Sequence, residues 1–501
     1  MAPGPRPSAA RVVVALVTAV VMVASGCGGS DDGEQRGGGV LAEPVSGRQA
    51  VPSTTGRSVA TAAVGVGRAL PTTGSTAVPT SPTSSTTSVA PTAAVDGEAV
   101  ATVVRTGADV VAGNGFDLLS GRRVGLIANR ASTVGGEPLI DVLHAAPDID
   151  LVALFAPEHG VEAKDAAGAI VAAGTDALTG VVVHSLYGAD RAPRPESLAD
   201  LDVLVFDLQG VGARFYTYIS TLGLAMQSAA RAGVPMVVLD RPNPLGGDRP
   251  DGSLRTDGAS SFVGLYPIPA LHGLTVGELA LAVRGEGWLE GIDSLDLTVV
   301  ELDGWDRSQR WEATGLPWVA PSPGLPSAEL SLLYPATVLL EATTLSFGRG
   351  TDRPFGQVGS SWLDVPALIA ELEAAELPGV AFEPVRFVPG DDGGGADGST
   401  DGAGGDTGDE VPGVRLTVTD PATLRPFAVG VHLVDALLRQ AGDRPIIDRP
   451  DFFDLLAGGP DLRRALLDRR DPAAIVDDWT ADLAAWERTR GPYLLYGPAG
   501  S

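Results

Sequence analysis

One cysteine, one lysine and five histidines in 501 residues remove several chemistries before any motif is sought. A lone Cys27 can form no intrachain disulfide and supplies too few thiolates for an iron–sulfur cluster or a multi-cysteine zinc site. Lys164 is followed by Asp165, so no G-x-x-x-x-G-K-[ST] phosphate loop exists. His159, His184, His272 and His432 fall at spacings that match no H-E-x-x-H pattern, and neither a metal nor another cofactor is expected. Basic residues are scarce too: 35 Lys+Arg against 62 Asp+Glu leave a formal charge of -27. Such a field opposes binding to a phosphate backbone or an anionic membrane surface, so nucleic acid is not an expected partner. Apolar residues are not scarce. A hydrophobic fraction of 44% with 19% charged excludes disorder throughout, and the length requires two domains plus appendages.

The first segment reads as an address. Arg6 and Arg11 precede an apolar run from Val12 to Ala24, too short for the roughly 20 residues of a membrane span and ending in small residues. Residues 1–27 are expected to be a signal peptide in which Ala24-Ser25-Gly26-Cys27 resembles a lipoprotein lipobox, with Cys27 lipidated after cleavage. A plain secretory signal with an incidental cysteine is the alternative. Residues 28–103 are Ser, Thr, Gly, Pro, Ala and Val with almost no aromatic side chain. They carry too little apolar area to offset their ordering entropy and are expected to form a disordered stalk. On this reading the folded part is extracytoplasmic and meets the cell membrane through the lipid anchor only.

Between Val124 and Asp240 short apolar runs alternate with helix-like segments, the α/β signature. Val124–Ala128, Leu151–Phe155, Val181–Ser185, Val203–Asp207 and Val237–Asp240 have the length and continuous apolarity of buried parallel strands. The expected fold is an α/β, Rossmann-like, doubly wound parallel sheet in residues 104–293, followed by a smaller α+β domain in 294–501. That second domain is expected to hold strands at Leu297–Glu301 and Val414–Val418, an Asp-capped helix at Asp478–Arg488, and a flexible acidic Gly-rich insertion at about 390–408. In open sheets ligands bind beyond the carboxyl ends of the strands. Asn129-Arg130, Pro157-Glu158-His159-Gly160, Asp207-Leu208-Gln209 and Asp240-Arg241-Pro242-Asn243 fall at those ends, so one rim collects most of the chemistry.

Glu158 on such a rim, partly desolvated, is suited to general acid catalysis, while a helix-capping Glu beside a core histidine is the alternative for Glu158-His159. The stretch Asp207 to Tyr218 carries Gly210-Val211-Gly212 after a strand, but Phe215 replaces the third glycine of a dinucleotide fingerprint. Arg214, Tyr216 and Tyr218 read better as a carbohydrate platform, since tyrosine offers an apolar face with a hydroxyl and arginine matches a carboxylate. Core aromatics with a buried Arg–Asp pair fit the same residues. Glu341 and Arg349 lie in a Gly-rich polar run that is either ligand-facing or a surface loop. Glycoside cleavage commonly uses two carboxyl groups, and Glu158 with Glu341 or Asp207 could supply them.

A set of motifs in consistent order carries a family resemblance. Pro157-Glu158-His159-Gly160, Ser185-Leu186-Tyr187-Gly188, the Asp207 to Thr221 run, Leu239 to Gly247 and Pro267-Ile268-Pro269 with His272-Gly273 form its first half. Gly315-Leu316-Pro317-Trp318, Leu333-Tyr334-Pro335, Gly348-Arg349-Gly350-Thr351 and Tyr493-Leu494-Leu495-Tyr496 complete it. Together they resemble the exo-β-N-acetylmuramidase family of the NamZ type over roughly Val104 to Tyr496. The resemblance implies a Rossmann-like domain, a smaller C-terminal domain and a cleft between them. It implies release of N-acetylmuramic acid from non-reducing ends of peptidoglycan fragments such as N-acetylmuramyl-N-acetylglucosamine. By position it makes Glu158 the catalytic acid, with His159, Asp207, Arg214, Tyr216, Asp240, Arg241, Asn243, His272 and Glu341 lining the site. Val161-Glu162-Ala163-Lys164 and Val411-Pro412-Gly413-Val414 depart from the family's usual sequences.

The expected function is therefore that of an exported glycosidase in cell-wall turnover. A non-catalytic glycan-binding lipoprotein and a nucleotide-dependent sugar oxidoreductase are the competing readings. If Cys27 is the lipidated residue, Cys27→Ser should shift the mature protein from the membrane fraction to the soluble one and change its processed mass. Unchanged fractionation and processing would remove the anchor.

Overall fold

The computed structural model describes residues 103–390 and 408–497. The signal peptide with Cys27, the stalk up to Thr102 and the interior of the acidic insertion lie outside the described residues. All described residues fall in one unit, Ala94–Ser501.

Seven strands form the main sheet: β1 (Arg123–Ala128), β2 (Asp150–Ala156), β3 (Gly174–Thr175), β4 (Val182–Ser185), β5 (Val203–Asp207), β6 (Met236–Leu239) and β7 (Leu297–Val300). Their order is β7-β6-β5-β1-β2-β4-β3, parallel except for the short edge strand β3. This is the doubly wound arrangement expected, with the strand order reversing between β1 and β5. The reason is visible in the alternation. Val203 and Val205 of β5 pack into the core on one face, whereas Leu204 and Phe206 pack into the larger core on the other. A strand buried on both faces needs apolar side chains at every position.

The expected domain boundary at 293/294 falls just before β7, which pairs in parallel with β6 along Leu297↔Met236 to Val300↔Leu239. That strand therefore completes the main sheet rather than starting a new domain. Beyond it, β8 (Gln357–Gly359), β9 (Val380–Phe387) and β10 (Val411–Val418) make an antiparallel sheet in the order β8-β10-β9. Helices at Ala328–Thr337 and Pro426–Ala441 belong to this part, and the expected C-terminal helix runs from Thr480 to Arg490. Asp478 does not cap it; Trp479 occupies the cap position without a side-chain bond. One hydrophobic core joins the two parts, since Phe206, Phe215 and Leu222 share it with Leu333, Phe427 and Phe453.

The extreme carboxyl end is locked to the sheet by a buried carboxylate. Asp240, immediately after β6, accepts hydrogen bonds from Tyr496 Oη (2.6 Å), Thr275 Oγ1 (2.7 Å) and Gly277 N (2.8 Å). Burial outweighs these donors and pushes its pKa up to about 7. A carboxyl whose folded pKa exceeds its unfolded value binds its proton more tightly when folded, so its contribution is complete at low pH and is lost as pH rises through the folded pKa. The melting temperature of the wild type should therefore fall relative to that of Asp240→Asn between pH values near 3.8 and about 7. A constant difference between the two proteins across that range would contradict this assignment.

Candidate active site

A cavity of about 530 Å³ lies over the carboxyl ends of β2 and β4 and is closed from the other side by residues of the C-terminal half. Glu158, His159, Tyr187, Arg191, Tyr216 and Thr217 line it from the sheet side, and Ser322, Tyr334, Glu341, Arg349 and Phe452 from the other.

Glu158 enters because β2 ends at Ala156 and the chain turns sharply. His159 has φ 70° and Gly160 φ 73°. The left-handed region is uncommon for a residue with a β-carbon and tends to mark functional turns. A β-carbon on Gly160 would be strained at that φ and would lie 2.6 Å from Asp165 Oδ2, displacing that carboxylate. His159 Nδ1 is 2.7 Å from the Asp165 carbonyl, and the Lys164 and Asp165 amides donate back to the His159 carbonyl at 3.0 and 3.2 Å. The loop is thereby closed on itself, with Glu158 at its base. Thr217 Oγ1 donates to Glu158 Oε2 at 2.6 Å, and the Gly168 amide donates to Oε1 at 3.0 Å. Tyr187 hydrogen-bonds the same carboxylate; burial first, then the Glu158 charge, raise its pKa far above the ordinary tyrosine range, so the phenol keeps its proton.

Glu341 comes from a different construction. Pro335 in the last turn of helix Ala328–Thr337 cannot donate a backbone hydrogen bond, and the chain tightens into a 3₁₀ turn at Val338–Ala342 that carries Glu341. Arg349 Nη2 donates to Glu341 Oε2 at 2.7 Å, and Arg449 donates to its carbonyl oxygen. Both carboxyl groups line this one cavity together with Tyr334, whose pKa is driven well up by burial first, with the Glu341 and Glu158 charges adding to the shift.

Five of the sequence-expected residues thus meet here: Glu158, His159, Tyr216, Glu341 and Arg349. The others are held elsewhere. Asp207 is fully buried and takes Arg241 in bidentate fashion, with Nη2 to Oδ2 at 2.8 Å. Arg241 faces a separate cavity of about 480 Å³ near Thr133, Gln209 and Trp311. Arg214 donates to the carbonyls of Ser253 (2.7 Å), Ile268 (3.0 Å) and Leu456 (2.9 Å). Burial lowers its pKa to about 9, and it serves as a fully buried strut between chain segments. The Tyr218 hydroxyl points away from the cavity to the Pro321 carbonyl, 2.6 Å away. Asp240 is committed to Tyr496 and Thr275. Asn243 closes a turn, accepting from Leu245 N at 3.0 Å and donating to Leu274 O at 3.1 Å. His272 is fully buried, its pKa lowered to about 3 chiefly by desolvation, and accepts from Leu274 N at 3.2 Å. The glycine run beside it is filled: a β-carbon on Gly212 would meet Asn243 Oδ1 at 2.2 Å, and only about 10 Å³ of open space remains there. No room is left for a dinucleotide against those glycines.

Tyr187, Thr217, Tyr334 and Arg191 were not among the expected site residues. Tyr187 and Tyr334 nevertheless sit in two of the motifs noted above, and Tyr187 follows β4 at the same rim as Glu158. The Pro-rich stretch before Leu325 supplies Ser322, Pro323 and Gly324 to the cavity wall. Among the described residues there is no cluster of three or more His, Cys, Asp or Glu that could hold a metal ion, and no helix is long and apolar enough to cross a membrane.

Comparison with known proteins locates this geometry. Residues 124–329 match the family described as exo-β-N-acetylmuramidase NamZ, N-terminal, and residues 332–496 the corresponding C-terminal family. The chain is 38% identical over 394 residues to the peptidoglycan β-N-acetylmuramidase NamZ of Bacillus subtilis (strain 168), covering 78% of this chain and 91% of that protein. Two solved structures of DUF1343 family proteins from Bacteroides fragilis NCTC 9343 are similar. One has a TM-score of 0.70 at 35% identity, covering 78% of this chain and 99% of its own. The other has a TM-score of 0.62 at 30% identity, covering 79% and 100%.

Removing one partner of a buried ion pair costs about 3–5 kcal/mol, because the remaining charge loses its compensation. Asp207→Ala should therefore lower stability by about that amount in urea denaturation through Arg241. A protein of unchanged stability that had lost only activity would return Asp207 to the list of catalytic groups.

Proposed function

Because the chain belongs to the exo-β-N-acetylmuramidase NamZ family, we propose that it releases N-acetylmuramic acid from the non-reducing ends of peptidoglycan fragments, with Glu158 as the proton donor. It is a glycoside hydrolase of peptidoglycan material. The observation that carries the assignment is the placement of Glu158: a carboxyl fixed through both oxygens, by Thr217 at 2.6 Å and Gly168 at 3.0 Å, on the wall of a cavity that also holds Glu341.

The chemistry follows from that placement. Cleavage of a glycosidic bond needs a proton on the departing oxygen and stabilisation of positive charge at the anomeric carbon. Glu158, two residues beyond the end of β2, supplies the proton from its protonated form, in which Oε1 still accepts from Gly168 and the Thr217 and Tyr187 hydroxyls can turn to accept rather than donate. Glu341, oriented by Arg349, faces the developing oxocarbenium-like charge, either directly or by orienting the substrate's acetamido group for attack on the anomeric carbon. Tyr187, Tyr216 and Tyr334 give the sugar ring apolar faces with polar tips. The Thr217 hydroxyl and the Tyr187 phenol fix the carboxyl's rotamer, so little reorganisation is needed when the substrate arrives.

The place of this activity is the cell wall outside the membrane. The basic, apolar and small-residue order of residues 1–27 and the Ser/Thr/Pro-rich composition that follows support export, a lipid anchor at Cys27 and a role in wall turnover. The rival reading, a glycan-binding lipoprotein without catalysis, is separated by product analysis.

Glu158→Gln keeps size and hydrogen bonding but removes the transferable proton, and general acid catalysis typically contributes about 10²–10⁴-fold. Hydrolysis of a muramyl-glucosamine disaccharide should fall by that order while the fold and ligand binding persist. A chromogenic muramide with a good leaving group needs less protonation and should suffer less. Equal losses on both substrates would assign Glu158 an orienting role, and a wild type that binds the disaccharide without releasing sugar would leave the binding-lipoprotein reading standing.

A further inference from the structure

Three cationic side chains border the active-site cavity, and their surroundings differ. Arg349 is engaged with Glu341 at 2.7 Å. Lys164 is 78% exposed and pairs loosely with Glu162 at 3.6 Å. Arg191, on the loop after β4, is exposed as well and differs in its neighbours. Its guanidinium carbon lies 4.6 Å from the centroid of the Phe262 ring and 5.8 Å from that of Tyr187. Among the described residues it forms no ion pair, and its neighbour Asp190 is occupied by Arg194. A guanidinium steadied by aromatic faces keeps its N–H edge free, and that edge is the fork that matches a carboxylate with two parallel hydrogen bonds.

Of the two rings beside Arg191, the farther one, that of Tyr187, carries the hydroxyl that reaches Glu158. Arg191 is therefore separated from the candidate proton donor by the width of one aromatic side chain. A pyranose has the same relation between its two distinguishing ends: the anomeric carbon, where cleavage occurs, and position 3, which in muramic acid carries the lactyl ether with its carboxylate. The cavity already holds the Glu158 and Glu341 carboxyl groups, so an anionic sugar needs a local positive partner to enter.

We propose that Arg191 is the specificity-determining residue that receives the lactyl carboxylate and so distinguishes a muramyl from a glucosaminyl end. The inference rests on the glycosidase reading for its choice of ligand, and its test is one of binding rather than turnover. Affinities for N-acetylmuramic acid, its lactyl methyl ester and N-acetylglucosamine are measured by calorimetry on the full-length wild type and on Arg191→Met, with Arg191→Lys as the conservative control. A hydrogen-bonded charge of this kind corresponds to roughly 10- to 100-fold in affinity. The wild type should prefer the free acid to the ester by that factor. Arg191→Met should lose the preference while binding the ester as before, Arg191→Lys should keep part of it, and raised salt should weaken binding of the acid alone. An unchanged preference in Arg191→Met overturns the assignment, as does equal weakening for acid and ester, which marks a mere wall residue. A wild type that binds acid and ester alike also overturns it. Selective binding of the acid by a wild type that cleaves no muramide would sustain this inference and overturn the catalytic one.

Discussion

A single buried phenol holds the active site together. The Tyr218 hydroxyl accepts a hydrogen bond from Asn129 Nδ2 at 3.0 Å, donates to the Pro321 carbonyl at 2.6 Å, and lies 3.2 Å from the Glu158 carbonyl. Those three partners follow β1, belong to the Pro-rich strap, and follow β2, respectively. Loss of this hydroxyl would weaken the tie among three chain segments and leave the Asn129 amide and the Pro321 carbonyl with only their long mutual bond of 3.5 Å, where a buried polar group left unsatisfied costs about 1–3 kcal/mol. The backbone beneath the candidate proton donor is thus fixed by a side chain outside the cavity lining. Asn129 is itself anchored, accepting from Ala131 N at 3.0 Å, so the constraint extends into the turn after β1.

The same economy explains why the cavity lies over β2 and β4 rather than at the point between β1 and β5 where the strand order reverses. In an open sheet that reversal leaves a crevice available to ligands. Here the Asp207–Arg241 pair takes up the base of it, with Arg241 Nη2 also reaching the Thr133 carbonyl at 2.9 Å, and what stays open beside Arg241 is the separate cavity of about 480 Å³, which contains neither glutamate. Farther along the rim, Asp240 and Asn243 are consumed in joining β6 to the following helix and to the carboxyl terminus. The cavity that brings two glutamates together lies in the section where β2 and β4 end in a strained turn and a tyrosine, and where the C-terminal half closes over both.

The fold was legible because the constraint that forms it is written locally. A strand buried on both faces must be apolar at every position, and β5 was readable to the residue, Val203–Asp207. β7 was seen as a strand but placed in the wrong part, since three of its four positions are only partly buried, the fourth is exposed, and nothing in its own sequence names the neighbour it pairs with. The site was legible in part for the same reason. Residues expected on the rim do lie at the rim, but whether an Asp there meets ligand or a buried arginine depends on side-chain partners distant in sequence. Asp207 and Arg241 are 34 positions apart. Arg214 looked like a carboxylate receptor, and its partners turned out to be backbone carbonyls, which no motif encodes. Tyr187 and Tyr334 were visible as motif members without any sign of which way they face.

The overall charge sets a last condition on how such a site can work. A chain with a formal charge of -27 repels an anionic glycan at long range, yet that repulsion is screened over about 8 Å at physiological ionic strength. Inside that distance the local arrangement decides, and the cavity collects Lys164, Arg191 and Arg349 beside its two glutamates. On the proposed function, capture of an acidic sugar is then a short-range event, with discrimination arising once the ligand has exchanged water for the aromatic walls. A net acidic chain with a few cations in its cavity favours a compact anion over a polyanion, because a single guanidinium reads one carboxylate in one geometry while the bulk field rejects extended runs of them. The acidic composition and the basic cavity are in that sense complementary parts of one selectivity.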